Sequence, residues 1–380
     1  MISRSLNSVI QKRISSKKPV ILFGPAGSGK ASLLTEIARS IDPLFQSYDC
    51  TDPKTLNFFQ NGDYPELKEI IGGKKAVFLN NVSRINNLSG FTLRMTGFFP
   101  ETRFLMAGSY FPGSTFGEGY IGLSTVPELF LHPICWQEYS EYETLIGSKS
   151  ELEARIIYGM YPEIIENPGN EKEILSKLTE EYIFREINFS SGIRKPQLLK
   201  RLLQILALNI GKEISLNQLS ELVKVDKNTI GSYIAMLEKA FIVFSLMPLK
   251  RNHPHEVKSS RKIFFYDNGI RNGIISNYAA MNLRLDAGSL WENFCISERH
   301  KFLYLREKQY NSYYWRTTSK KEVDYIEEYD QGLHAYRFKW NLQTKRIFSK
   351  TFRNAYPLAS TDIISTNSFG KFVSSSKIKI

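Results

Sequence analysis

At 380 residues, the chain has room for two or three domains of ordinary size, roughly 150 residues each. Hydrophobic residues make up 42% and charged residues 23%, a balance that excludes a disordered or fibrous chain. The net charge of +12 is unevenly spread: residues 1–190 carry 19 basic and 22 acidic side chains, residues 191–380 carry 31 and 16. That asymmetry points to a polyanion partner for the second half rather than to a generally basic protein.

The longest uncharged apolar run, residues 240–249, is half the roughly 20 residues needed to cross a bilayer, so no membrane partner is expected. Residues 1–18 are polar and basic, without the apolar stretch of a secretory signal. Their Ile2, Leu6, Val9, Ile10 and Ile14 recur at helical spacing and predict an amphipathic helix leading into a first strand. Cys50, Cys135 and Cys295 are odd in number and far apart, which predicts neither a disulfide framework nor a zinc site and suits a reducing, cytoplasmic setting. His253 and His255 read as part of a solvated loop.

Residues 19–23 (PVILF) predict a buried strand, and residues 31–41 (ASLLTEIARSI) a helix with its apolar stripe at 33, 34, 37, 38 and 41. Between them lies Gly24-Pro25-Ala26-Gly27-Ser28-Gly29-Lys30. Strand, G-x-x-x-x-G-K, helix is the context of a phosphate loop: glycines let backbone N–H groups turn inward, the helix start adds its dipole, and Lys30 reaches the terminal phosphates. The next residue should be a hydroxyl that ligates Mg²⁺; here it is Ala31, and Ser32 lies about 100° around the helix. Further strands are predicted at 45–50, 75–79, 103–107 and 128–131. The third ends at Asn80-Asn81, where an ATPase of this type presents the acids that hold metal and polarise water. The fourth ends near Ser109, the place of a polar γ-phosphate sensor.

These segments resemble prokaryotic AAA-type P-loop ATPases carrying a C-terminal domain of unknown function, built from a winged helix and a restriction-endonuclease-like fold. The family's loop is usually G-x-x-x-x-G-K-T-[TS]-L-L, against GPAGSGKASLL here; its acid motif is F-L-D-E, against Phe78-Leu79-Asn80-Asn81. Residues 129–139 (LFLHPICWQEY) are similar to its L-x-P-L-S-F-x-E-Y segment, and an arginine usual just before that segment stands as Leu123. Residues 182–187 resemble its Y-x-x-R-D-I helix, and residues 266–270 (YDNGI) its F-x-D-x-G-[IL] exit. The resemblance implies an α/β protein with an AAA-type domain over 1–140, a helical lid or linker over 141–195, a winged helix over 196–275 and a nuclease-like domain over 276–380. The departures fall on the hydrolytic groups. The expectation is therefore ATP bound through residues 24–32, with Mg²⁺ weakly held or absent and little or no hydrolysis.

The second half reads the same way from its own residues. Helices are predicted over 175–187, over 196–210 with a stripe at Leu198, Leu202, Ile205, Leu206 and Leu208, over 215–223 and over 228–241. Residues 241–247 and 262–266 then read as a hairpin with Lys250, Arg251, Lys258, Arg261 and Lys262 in its loop. A helix-turn-helix followed by a basic hairpin predicts a winged helix, whose second helix offers Lys227, Asn228, Thr229, Ser232 and Tyr233 to DNA, with Arg261 and Lys262 on phosphate. The unspecialised alternative is a packing module with solvated lysines.

Residues 288–302 predict a helix bearing Glu292, and three strands follow, bearing Asp324 and Lys339. With the resemblance, Glu292, Asp324 and an acid-x-Lys pair would form a nuclease metal site. Arg337 stands where the family has the acid; a guanidinium there repels a cation and is expected to pair with Glu292 or Asp324, so nuclease activity is not expected. Residues 360–380 leave a last strand or a frayed end equally open. Three classes of function stay in view: a nucleotide-binding ATPase relative, a DNA-binding regulator with a vestigial nucleotide site, and a catalytically dead component that binds itself or another protein.

Overall fold

The structure, a computed structural model, describes residues 2–111, 127–142, 149–183, 196–251, 256, 260–340 and 348–374, and of residues 149, 150 and 181–183 the backbone alone. Leu123, His253, His255, Lys258 and residues 184–187 and 375–380 lie outside the described residues.

Strands β1 (Val20–Phe23), β2 (Gln46–Asp49), β3 (Ala76–Asn80), β4 (Arg103–Gly108) and β5 (Leu129–Phe130) form a parallel sheet in the order β2-β3-β4-β1-β5. All four residues of β1 are buried, as an inner strand of a parallel sheet requires, because crossover helices cover both faces. Helices α1 (Asn7–Ser15) and α2 (Lys30–Ile41) cover one face, placing Leu6, Ile10, Ile14, Leu33, Leu34 and Ile37 on Val20, Leu22 and Phe78. Beneath the other face, α3 (Pro53–Asn61), α4 (Tyr64–Ile71) and α5 (Leu88–Phe98) bring Phe59, Leu67, Ile71, Phe91 and Met95 against Ile21, Val77, Leu79 and Met106.

Four helices, α6 (Trp136–Tyr142), α7 (Lys149–Tyr158), α8 (Pro162–Glu166) and α9 (Glu171–Lys177), lead through a π-helical stretch at Leu178–Ile183. The chain then forms α10 (Pro196–Leu208), β6 (Glu213–Ile214), α11 (Leu216–Val223), α12 (Lys227–Lys239), β7 (Val243–Pro248) and β8 (Arg261–Phe265). Local chemistry sets these boundaries. Ser215 and Gln218 make a capping box at the start of α11, Lys224 turns the chain at φ +63°, and Asp226 caps α12 through the amides of Asn228 and Thr229. The predicted core stripe of α10 needs one correction, since Leu208 is exposed while Leu199 and Leu203 are buried.

The last region comprises α13 (Asn268–Ile274), α14 (Ala287–Leu305), β9 (Asn311–Arg316), β10 (Glu322–Tyr329), β11 (Gly332–Lys339), α15 (Lys350–Ala355), β12 (Ser360–Ser365) and α16 (Thr366–Ser374). β7 pairs antiparallel with β8 and parallel with β9, so one seven-stranded sheet, β12-β11-β10-β9-β7-β8-β6, runs across residue 275. Helix α14 is buried continuously from Leu290 to Leu303, charged residues included, so it is the internal post of this half. Among the described residues no helix is long and apolar enough to cross a membrane.

Candidate functional site

The phosphate loop leaves β1, between β4 and β5 in the sheet, and enters α2. Gly27 and Gly29 sit at φ +82° and +92°, a region that side-chain-bearing residues enter only with strain, so glycine is required at both. Gly29 caps α2 without a side-chain hydrogen bond, which leaves the first amides of the helix facing outward. Lys30 is buried and its ammonium donates to the carbonyls of Gly24 and Pro25, each at 2.8 Å. The Ser28 hydroxyl is buried without a hydrogen-bond partner among the described residues. A buried hydroxyl costs about 1–3 kcal/mol when unpaired, so an oxygen-rich ligand would satisfy it. Pro25 is buried and Ala26 half-buried within the loop, whereas Ala31 and Ser32 are exposed on the first turn of α2.

Two neighbours of the loop carry no sequence signal. Arg4 donates to the Ser28 carbonyl at 2.8 Å and the His132 carbonyl at 2.5 Å, and its Nε lies 3.2 Å from Glu138. From the other side, a Cβ at Gly27 would stand 2.8 Å from Leu178 and 3.3 Å from Tyr161. The segment predicted as a lid therefore packs on the phosphate loop. Arg4 is missed because the N-terminal segment reads only as amphipathic, and its partners are 24 and 128 residues away.

Asn80 ends β3 and Asn81 follows it, and both amides donate to Asp49 at the end of β2, at 3.3 Å and 2.9 Å. Burial pushes the Asp49 carboxyl up, but hydrogen bonds from Asn81, Thr51 and Asn80 outweigh it and hold the group below its ordinary range. A carboxylate thus lies beside the missing acids, but it is committed to the amides that replaced them. Ser109 is buried at the end of β4. Among the described residues no three His, Cys, Asp or Glu side chains stand where they could hold a metal ion. The loop suits a nucleotide, and Ala31, Asn80 and Asn81 set no carboxylate beside it.

In the second half, Lys227, Asn228 and Ser232 are exposed on α12, while Thr229 is half-buried with its hydroxyl on Asp226 at 2.6 Å. Tyr233, predicted on the exposed face, is buried in the core with Ile230 and Ile234. Arg261 is half-buried at the start of β8. Lys262 requires the larger correction. It is not available to DNA: only 2% exposed, its ammonium lies 3.0 Å from Glu292 and 3.1 Å from Glu322. As the second residue of β8 it alternates inward, toward α14, instead of extending from the hairpin loop.

Glu292, Glu322 and Asp324 converge on Lys262, so a lysine stands beside the two carboxylates, Glu292 and Asp324, expected to hold a metal. Burial pushes the Glu292 carboxyl up to about 7, with Lys262 pulling against it and Asp324 and Glu322 adding to it. Arg337 pairs with Asp324, Nε to Oδ1 at 3.7 Å, and not with Glu292. The second Asp324 oxygen accepts the Phe338 amide at 2.9 Å. Lys339 is half-buried at the end of β11.

Residues 149–280 match a family described as a domain of unknown function (DUF8612), and residues 287–372 one described as a domain of unknown function (DUF4143). A Haemophilus influenzae protein described as uncharacterized is 27% identical over 167 residues, covering 40% of this chain and 42% of that protein. The match thus spans less than half of that relative's length. Among solved structures, a replication initiator DnaA bound to AMPPCP and single-stranded DNA is 13% identical over 61% of this chain and 86% of its own, at a TM-score of 0.31. A Thermotoga maritima RuvB is 14% identical over 64% and 88%, at 0.30. A Pif1 helicase from Candida albicans is 13% identical over 47% and 48%, at 0.25. At these TM-scores the likeness carries no argument about function. Neither family description names an activity, so the chemistry of the chain rests on its own residues.

Proposed function

We propose that the chain binds a nucleoside triphosphate in the loop from Gly24 to Lys30 and hydrolyses it slowly or not at all. The observation that carries this reading is the loop itself: left-handed Gly27 and Gly29, Lys30 at the start of α2, and the buried Ser28 hydroxyl, unpaired among the described residues. Backbone amides of residues 27–32 would hold the phosphates, and Lys30 would exchange its two carbonyl partners for phosphate oxygens. Each charge-assisted contact contributes about 1.5–3 kcal/mol. Ala31, Asn80 and Asn81 offer no carboxylate, and amides bring no charge to Mg²⁺. Bound nucleotide would therefore persist as a signal.

Calorimetry with ATP, with and without Mg²⁺, tests this. Binding is expected in both conditions with affinities within about threefold, a loss of at least tenfold in Lys30→Ala, as one contact of that size gives, and no phosphate release above background. Absence of binding in either condition overturns the reading.

A second reading concerns the basic half. The unit β6-α11-α12-β7-β8, preceded by α10, is proposed to be a winged helix that contacts nucleic acid. Exposed Lys227, Asn228 and Ser232 at the start of α12 support it. Lys262 plays no part in that contact. The remainder, with Lys262 and Arg337 among its carboxylates, is proposed to be a restriction-endonuclease-like fold without a metal.

A further inference from the structure

A cavity of about 590 Å³ opens beside the neutralised carboxylate cluster. Its wall carries Lys320, Lys321, Arg337 and Lys350, with Glu322 as the sole acid in the lining among the described residues. Glu322 brings little charge to the cavity, because its carboxylate is held by Lys262 at 3.1 Å and lies 3.9 Å from Arg316. Those cations, together with Arg337, hold it below its ordinary range against the opposing effect of burial. Four cationic groups thus line one concave surface: Arg337 faces Asp324 and Glu322, whereas Lys320, Lys321 and Lys350 are exposed on it. Phe348 is buried against Trp315 and Phe352, so the floor is packed. Arg337 lies at the cavity wall with its Nε 3.7 Å from Asp324, an ion-pair distance.

We infer that this cavity binds a phosphate group, with Arg337 and the three lysines as its ligands. Like charges gathered on one concave surface repel one another, and an anion in their midst reverses that cost. A guanidinium matched by several ammonium groups suits a tetrahedral, multiply charged oxyanion better than a single carboxylate. Such a phosphate would come from either a nucleic-acid backbone or a small phosphorylated ligand. The same substitution that expels a metal ion, Arg337, thereby supplies the new ligand. This site is separate from the phosphate loop and from α12.

The test uses the full chain carrying Lys30→Ala, so that the phosphate loop does not contribute. Fluorescence anisotropy with a labelled 20-base-pair duplex and calorimetry with pyrophosphate are compared with and without Lys321→Gln/Lys350→Gln. Weakening of duplex binding by about tenfold, with the salt slope reduced by about one to two, is expected for a backbone phosphate. Loss of pyrophosphate binding with unchanged duplex binding assigns the site to a small ligand. No change in either, or poly-glutamate competing as well as duplex at equal charge, overturns the inference. Should the double variant melt early, the single exposed change Lys350→Gln carries the same comparison. Failure here leaves ATP binding by the natural chain untouched, so the two readings fall separately.

Discussion

Lys262 illustrates how a residue's role can invert between chain and fold. In the sequence it closes a run of cations; in the structure it is enclosed by Glu292 and Glu322 at 3.0 and 3.1 Å. Removing one member of a buried ionic cluster leaves charges without compensation, a loss of about 3–5 kcal/mol. Lys262→Ala should lower unfolding stability by that amount in urea titrations. A loss below about 1 kcal/mol would mean that the carboxylates simply take up protons instead. Glu292 gives the cluster a pH signature. Its folded value of about 7 stands above the ordinary 4.5, so between those limits the native chain keeps a proton that the unfolded chain has released. Stability must therefore fall as pH rises through that window. Glu292→Gln cannot make this fall. From pH 4.5 to 7 the stability difference should move in the variant's favour by on the order of 1–3 kcal/mol. A difference that does not change with pH would exclude Glu292 as the source.

Among the elements, the corner from β8 into α13 is a tightly packed joint. Its residues 266–270 resemble a family motif, and their work here is structural. Asp267 accepts the amides of Met160 and Ile270 at 2.7 and 3.2 Å, and Asn268 donates to the carbonyls of Ile156 and Leu290, each at 3.0 Å. The corner thereby clasps the end of α7 to the start of α14. A Cβ at Gly269 would stand 2.0 Å from the Tyr158 carbonyl oxygen, which is backbone and cannot move aside. Gly269→Ala should cost about 2–4 kcal/mol, read from thermal melting. Gly288→Ala in α14 is the control: nothing lies within 4 Å of its Cβ, and helix propensity alone predicts a gain of up to about 1 kcal/mol. Equal effects at both positions would refute the packing argument.

Over the whole molecule, charge and sheet continuity belong together. The 31 basic and 16 acidic residues of the second half lie on a region threaded by one seven-stranded sheet. Nucleic acid contacting α12 would therefore press on the same sheet that carries Asp324 and Arg337. If α12 contacts phosphate through Lys227, Lys227→Gln should weaken duplex binding and lower the slope of log affinity against log salt by about one. An unchanged slope would remove α12 from the interface. The first half, with 19 basic and 22 acidic residues, is not expected to contribute to that slope.

Much of this was legible in the chain alone. Strands β1 to β5, the phosphate loop, the helices of the second half and their caps follow from local rules. Apolar periodicity, glycine at positive φ and Ser or Asp at helix starts need no distant partner. The absence of acids at Asn80 and Asn81 is likewise a property of composition. Tertiary structure decided which charges meet. Lys262 finds partners 30 and 60 residues away, and Arg4 reaches the phosphate loop from the N-terminal segment. It also joined β7 to β9, and closed Tyr161 and Leu178 over Gly27. The physical reason is one of range: backbone conformation is set by near neighbours, whereas the meaning of a charge depends on which opposite charge the fold brings within about 4 Å and on how much water is left between them. The +12 balance thus conceals a lysine with a structural role, an arginine that stands against a carboxylate, and a basic cavity that no count of residues could locate.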